Sequence, residues 1–371
     1  MRQPFARGEA IPIEGVDVSA YTIPTEIDFE EDGTLRWDSV TLVVVEVHGM
    51  GLTGLGYTYE HEACATLVDK KLADVIEGQD AMQIRARWLE MYQAVRNIGR
   101  PGIASRATSA VDVALWDLKA KILDVPVVWL LDQAHEKVPV YGSGGFTNYD
   151  ERQLLDQLTG WVEADIPHVK MKVGRRMDED VDRVAAVRDA VGDDVELFVD
   201  SNGAYTRKQA LKYSQSFADL DVCWHEEPVT SDDLEGLRMV RDQGPPGMDI
   251  TAGEYGDHLR YFRDMLGTGA VDCLQADVGR CGGFTAFLDI ATLCREHSID
   301  LSSHTAPQMS AHVCTAVTHL RHLEYFATHN RIERLLFDGV LEPQDGFLVP
   351  DTSRPGLGLE LKRTDAERFE S

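Results

Sequence analysis

Lysine is scarce in this chain. Only ten of its 371 residues are lysine, among 36 basic residues set against 63 acidic ones, and the net charge is −27. The acids are spread along the chain rather than gathered in a tail, which describes an acidic surface and not a disordered segment. Such a surface excludes nucleic acid as a partner, because that binding needs the opposite sign. Few lysines among dispersed acids also point to adaptation to high salt, where screening is strong and surface hydration matters. Long apolar runs are missing too: no stretch reaches the roughly 18 residues of a membrane span. The opening MRQPFARGEAIPIEG has no apolar core, which argues against a secretory leader. Cysteine is sparse. Cys64, Cys223, Cys273, Cys281, Cys294 and Cys314 lack metal-ligand spacing and fit the reduced, buried thiols of a cytoplasmic protein. His225, close to Cys223, reads as packing rather than as half of a zinc site.

Against these absences stand three carboxylates at nearly even spacing. Asp200 ends the run LFVD, Glu226 ends CWHE and Glu254 ends ITAGE, with steps of 26 and 28 residues. A strand, a helix and two loops take about that many residues, so the repeat reads as successive βα units. Parallel strands that each place an acid at the C-terminal end bring the three acids to one point. Carboxylates gathered there repel unless a hard divalent cation holds them, and Mg²⁺ is the usual occupant. The beat continues on both sides, with Lys172 28 residues before Asp200, Asp277 23 after Glu254, His304 27 after Asp277 and Glu324 20 after His304. With VPVYGSGG near 138–145 this gives eight candidate strands. The expectation is an α/β fold, a modified (β/α)8 TIM barrel with its chemistry on the C-terminal rim.

Residues 1–135 read differently. DVSAYTIP and RWDSVTLVVVEVHGMGLTGLGYTY alternate or run apolar between glycines, as in an antiparallel meander, and helical stretches follow at roughly 62–77, 82–97 and 104–123. The expected organisation is an α+β capping domain over 1–135, the barrel over 136–335 and a tail over 336–371 that packs back onto the cap.

Strand periodicity tests the ionisable residues. Lys170 and Lys172 share one strand face, while Val169, Met171 and Val173 share the other and face the helices. Both lysines therefore point into the barrel, where they need anionic neighbours. Two adjacent lysines also lower the pKa of at least one, which predicts a neutral amine able to act as a base. Asp277, on the strand before His304, accepts the Nδ1 proton and raises the basicity of the imidazole. Glu324, among other carboxylates, is expected to have a raised pKa and to donate a hydrogen bond to an anionic substrate.

KMK at 170–172, DSN at 200–202, EEP at 226–228, GE at 253–254, QAD at 275–277 and SSH at 302–304 stand in order along the chain. This series resembles the enolase superfamily, and specifically its mandelate racemase subgroup, over essentially the whole length. The resemblance implies a (β/α)7β barrel with an α+β cap, Mg²⁺ held by Asp200, Glu226 and Glu254, and Lys172 and the His304–Asp277 dyad as the acid/base pair. Lys170 and Glu324 would stabilise the substrate carboxylate. The pocket wall would come from capping loops, expected around Val18–Glu26 and Gly56–His61.

The implied chemistry is removal of the α-proton of a carboxylate through a stabilised enediolate. Dehydration of an acid sugar, an aldonate or aldarate, to a 2-keto-3-deoxy acid is the favoured outcome. Ser143, Asn148, Asn202, Tyr21, Tyr57 and Tyr59 are polar candidates for its hydroxyls. Racemisation or epimerisation of a 2-hydroxy acid uses the same groups, and a non-catalytic metal-binding protein is the alternative of another class. The expected partner is a small carboxylate, and a homo-oligomer is expected.

Overall fold

The structure, a computed structural model, describes residues 10–371. The first nine residues, which open the stretch read for a leader, lie outside the described residues. The valine-rich N-terminal runs form a three-stranded antiparallel sheet of β1 (Gly15–Pro24), β2 (Ser39–Gly49) and β3 (Leu52–Tyr59), in that order. Branched side chains suit its pleated, half-buried surface. The long helix Ile103–Leu123 lies directly on β3. Gly54 and Gly56 allow this approach: a Cβ at either would stand 2.1 Å from the carbonyl oxygen of Ala114 or Ala110.

Eight parallel strands follow: β4 (Val138–Gly144), β5 (His168–Lys172), β6 (Glu196–Asp200), β7 (Val222–Glu226), β8 (Asp249–Ala252), β9 (Cys273–Asp277), β10 (Asp300–His304) and β11 (Leu320–Phe326). Each pairs with the next, and β11 pairs back onto β4, so the sheet closes into the expected barrel. Helices intervene between the strands, and Ala327–Leu336 follows the eighth as well. Val169, Met171 and Val173 join the apolar layer beneath the helices, whereas Lys170 and Lys172 point inward. Tyr141, Phe198 and Trp224 pack together as a separate apolar cluster, and the ring of Tyr141 lies 5.1 Å from Lys170 Nζ.

The tail touches both halves of the molecule. Phe347–Leu348 pairs antiparallel with β4, and the Leu357 amide donates to Asp117 of the long capping helix at 2.6 Å. Asp117 also accepts from the Leu55 amide of β3 at 2.7 Å and pairs with Lys121 at 2.6 Å. Among the described residues no helix is long and apolar enough to cross a membrane.

Candidate active site and metal centre

Lys172, Asp200, Glu226, Asp277 and His304 are each the last residue of their strand, and register places Lys172 beside Asp200, Asp200 beside Glu226 and Asp277 beside His304. Glu254 stands two residues beyond β8. Gly253 turns the chain there with a φ of 134°, and a Cβ on it would meet the Gln275 carbonyl at 2.1 Å. Just past three of these strand ends, Asn202, Glu227 and Thr305 have φ of 45°, 41° and 43°. Non-glycine residues rarely adopt such values, and they concentrate where a functional side chain must be aimed.

One oxygen each from Asp200, Glu226 and Glu254 lies within 4.8 Å of the other two, and all three residues are buried. Among the described residues this is the only group of histidines, cysteines and acids so arranged. Glu226 Oε1 is buried without a hydrogen-bond partner. Burial, resisted by Lys170 and reinforced by Asp200, pushes the Glu226 carboxyl up to about 8. A set of hard oxygen donors that repel one another, one of them unpartnered, fits a divalent cation of the magnesium type.

Lys170, fully buried, reaches Glu226 Oε2 at 2.6 Å and Glu324 Oε1 at 2.9 Å. Lys172 bonds to Asp200. Burial pulls both ammonium groups down, yet the facing carboxylates outweigh it and both pKa values move upward. The expected neutral amine is therefore not found. Two lysines do repel, but Asp200, Glu226 and Glu324 surround them. Glu324 also departs from expectation: burial favours its neutral form, but Lys170 and His304 hold the carboxyl down to about 2. It is an acceptor, not a donor, and Ser143 Oγ donates to it at 2.6 Å.

His304 Nδ1 lies 2.7 Å from Asp277 Oδ2, as expected of the dyad. Its Nε2 faces Glu254 Oε2 at 3.2 Å and Glu324 Oε2 at 3.4 Å. Burial disfavours the imidazolium, but Glu254 and Glu324 raise its pKa to about 10. Arg280, to which the sequence reading gave no role, ties the two halves: Nε is 3.4 Å from Asp277 Oδ2 and Nη1 is 3.4 Å from Glu254 Oε1. Its signal was available, a basic residue three places after Asp277.

A cavity of about 560 Å³ opens above these groups. Its far wall comes from residues 32–41 and 59–61 of the capping region, with Asn202 and Phe326 at the barrel side. Val18–Glu26 is not part of it. That segment is mostly β1, and the chain reaches the cavity only in the following loop. Gly33 crosses so close to the barrel that a Cβ would stand 2.3 Å from the Ser201 carbonyl. Asp32, also missed, accepts from the Thr34 and Leu35 amides at 2.7 and 2.6 Å and shapes this loop. Of the proposed hydroxyl-binding residues, Tyr59 and Asn202 line the cavity. Tyr59 stacks on His329, and its hydroxyl donates to the His329 carbonyl at 3.2 Å. Tyr21 and Tyr57 do not line it: Tyr21 packs in the core against the tail, and Tyr57 donates to buried Glu333 at 2.6 Å. Ser143 is sealed beneath Glu324, and Asn148 Nδ2 bonds to the Phe29 carbonyl. These are polar side chains near the expected loops, and partners elsewhere claim them.

A closed barrel with acids on three successive strand ends, flanked by a lysine and a His–Asp pair, defines an enzyme-type site for carboxylate chemistry. Residues 153–366 match the family model for the enolase C-terminal domain-like fold, and 31–132 match the N-terminal domain of mandelate racemase / muconate lactonizing enzyme. The chain belongs to the mandelate racemase/muconate lactonizing enzyme family of the enolase superfamily. It is 35% identical to the 3,6-anhydro-alpha-L-galactonate cycloisomerase of Streptomyces coelicolor, over 96% of this chain and 98% of that one. It superposes on a mandelate racemase/muconate lactonizing enzyme-like protein from Rubrobacter xylanophilus with a TM-score of 0.95 and 54% identity, covering 97% of this chain and all of the other. L-talarate/galactarate dehydratase from Salmonella typhimurium, solved with Mg and L-lyxarohydroxamate, gives a TM-score of 0.90 at 28% identity, over 100% of this chain and 96% of that one.

Proposed function

We propose that this protein is a magnesium-dependent enzyme that removes the α-proton of an acid sugar and expels the β-oxygen, as a dehydratase. The observation that carries the reading is the convergence of Asp200, Glu226 and Glu254 between Lys172 and His304. Asp200, Glu226 and Glu254 would hold the magnesium, which would supply an electrophile for the substrate carboxylate. Lys170, fully buried beneath the cavity rather than lining it, adds a second positive charge there. Lys172 and His304 lie on the second and seventh of eight strands and address opposite faces of the α-carbon. Asp200, once committed to a cation, holds the Lys172 ammonium less firmly, which lowers its pKa toward that of a base.

In the elimination the α C–H bond breaks to one base, and its electron pair forms the C–C double bond. The β C–O bond breaks as the other residue, His304, delivers a proton to the departing oxygen. The enol then takes a proton at carbon to give the 2-keto-3-deoxy acid. If the departing oxygen is a hydroxyl, water leaves and the enzyme is a lyase. If it belongs to a ring within the substrate, the ring opens and the product is an isomer. The likeness to the cycloisomerase of Streptomyces coelicolor supports this second reading. A screen of open-chain and cyclic acid sugars for 2-keto-acid formation separates the two. Absence of both product and α-proton exchange across the panel would refute the proposal.

A further inference from the structure

We infer that the substrate carries a single carboxylate: it is an aldonate-type acid sugar, open or cyclic, whose far end is uncharged. This rests on the proposed function and specifies the substrate class of the same site. The carboxylate beside the reacting carbon is provided for by Lys172 and by the divalent cation that Asp200, Glu226 and Glu254 would hold. The opposite wall has a different character. Asp32 and Glu60 face the cavity from the capping region, and among the described residues no lysine or arginine of that region lines it. Arg106, which reaches Glu60, is already paired there, with Nε 2.5 Å from Glu60 Oε2. His61 Nδ1 accepts the Ala63 amide at 3.1 Å, which leaves Nε2 as the other nitrogen of the ring. The rest of this wall is apolar at Leu35, Trp37 and Val40, with hydroxyls at Ser39 and Thr41.

A second carboxylate at that end would lose water between two acids and gain no cation, which selects against it. Arg280 does not alter this. It lines the cavity within electrostatic reach of Glu60, but its Nε and Nη1 already face Asp277 and Glu254, so it brings no cation free of an acid. Uncharged hydroxyls and C–H faces, by contrast, find partners on the same wall.

The test is a panel of C5 and C6 aldonates, each beside the aldarate of the same C2 and C3 configuration, with the magnesium-loaded enzyme. Two readouts are taken, 2-keto-acid release and deuterium uptake at the α-carbon. The expected result is kcat/KM about 100-fold or more in favour of the aldonates. Leu35 is 62% exposed on the rim, so Leu35→Arg adds a cation without disturbing the core. It should shift the aldarate-to-aldonate ratio upward by about tenfold or more. Aldarates turned over as well as aldonates would overturn the inference and leave the elimination chemistry standing, and an unmoved ratio in Leu35→Arg would count against the wall as the selector. No exchange and no product with either class would overturn the proposed function, and this inference with it.

Discussion

Lys170 and Glu226 meet at 2.6 Å inside the barrel, with neither side chain exposed to solvent. Each supplies the counter-charge that makes burial of the other tolerable. Lys170 has a second acceptor in Glu324 at 2.9 Å, so it is not stranded if Glu226 is neutralised.

Glu226→Gln should therefore keep the fold while weakening magnesium binding by about 100-fold or more and turnover by about a thousandfold. Calorimetric titration with magnesium and a steady-state assay check both. Full turnover by this variant in the presence of a chelator would rule the cation site out.

The metal-free protein should lose stability above neutrality. His225, His312 and His329 are held at about 3, 4 and 3 by burial, so their contribution grows as pH rises to 6.5. Burial raises Glu333 to about 8 and Asp112 to about 7. Their contribution is full below the unfolded carboxyl value near 4 and is lost as pH rises through the folded value. His304, raised to about 10, adds a loss above 6.5. The two sets oppose each other between about 4.5 and 6.5, and only losses remain beyond. Melting temperature in chelator should be flat across the first interval and fall from about pH 6.5 to 8.5, with magnesium reducing the fall. A steady rise with pH would contradict this assignment of charges.

The floor of the site was legible in the sequence for a physical reason. Parallel strands in register turn a 20–28-residue beat into neighbouring side chains, and Lys172, Asp200, Glu226, Asp277 and His304 all end their strands. The wall was legible only in part: Tyr59, Glu60 and His61 line it from the expected Gly56–His61 segment, but the rest did not show in the sequence. Asp32, Leu35 and Trp37 lie in a loop whose course is set by Gly33 against the barrel and by Glu30, which accepts from Trp37 and Thr328. No period in the sequence announces such contacts. The ionisation states of Lys172 and Glu324 were misjudged for a related reason. A pKa sums every charge in the cavity, and spacing along one strand displays only its own.

Lys172 and His304 should separate under isotope exchange. His304→Asn should stop turnover yet leave exchange on substrates whose α-proton faces the lysine. Lys172→Ala should abolish that exchange as well. Exchange at the parental rate in both variants would exclude both as bases.

Salt should stabilise the protein. With a net charge of −27, self-repulsion is strong when the screening length is about 10 Å at 0.1 M and weak when it is about 3 Å at 1 M. Melting temperature should climb over that range. A flat or falling curve would remove the high-salt reading.

Asp117 should be a stability residue with no part in catalysis. Fully buried, it accepts from two backbone amides distant in sequence and pairs with Lys121. Asp117→Ala leaves those donors unsatisfied and should cost about 3–5 kcal/mol in denaturant unfolding, with Asp117→Asn milder.

The cavity has two authors in the chain. Strand ends between 172 and 324 furnish the reactive groups, and the segment 32–41 furnishes much of the facing surface. That segment is held to the barrel by Glu30 accepting from Thr328, by Thr147 donating to the Glu31 and Asp32 carbonyls, by Thr34 donating to the Asn202 carbonyl and by Gly33 against Ser201, so it can be exchanged as a cassette if those anchors are kept. Diet and chemistry are thus separately heritable in this protein. Descendants can acquire a taste for a new acid by rewriting about ten residues while the proton-handling apparatus is passed on unaltered.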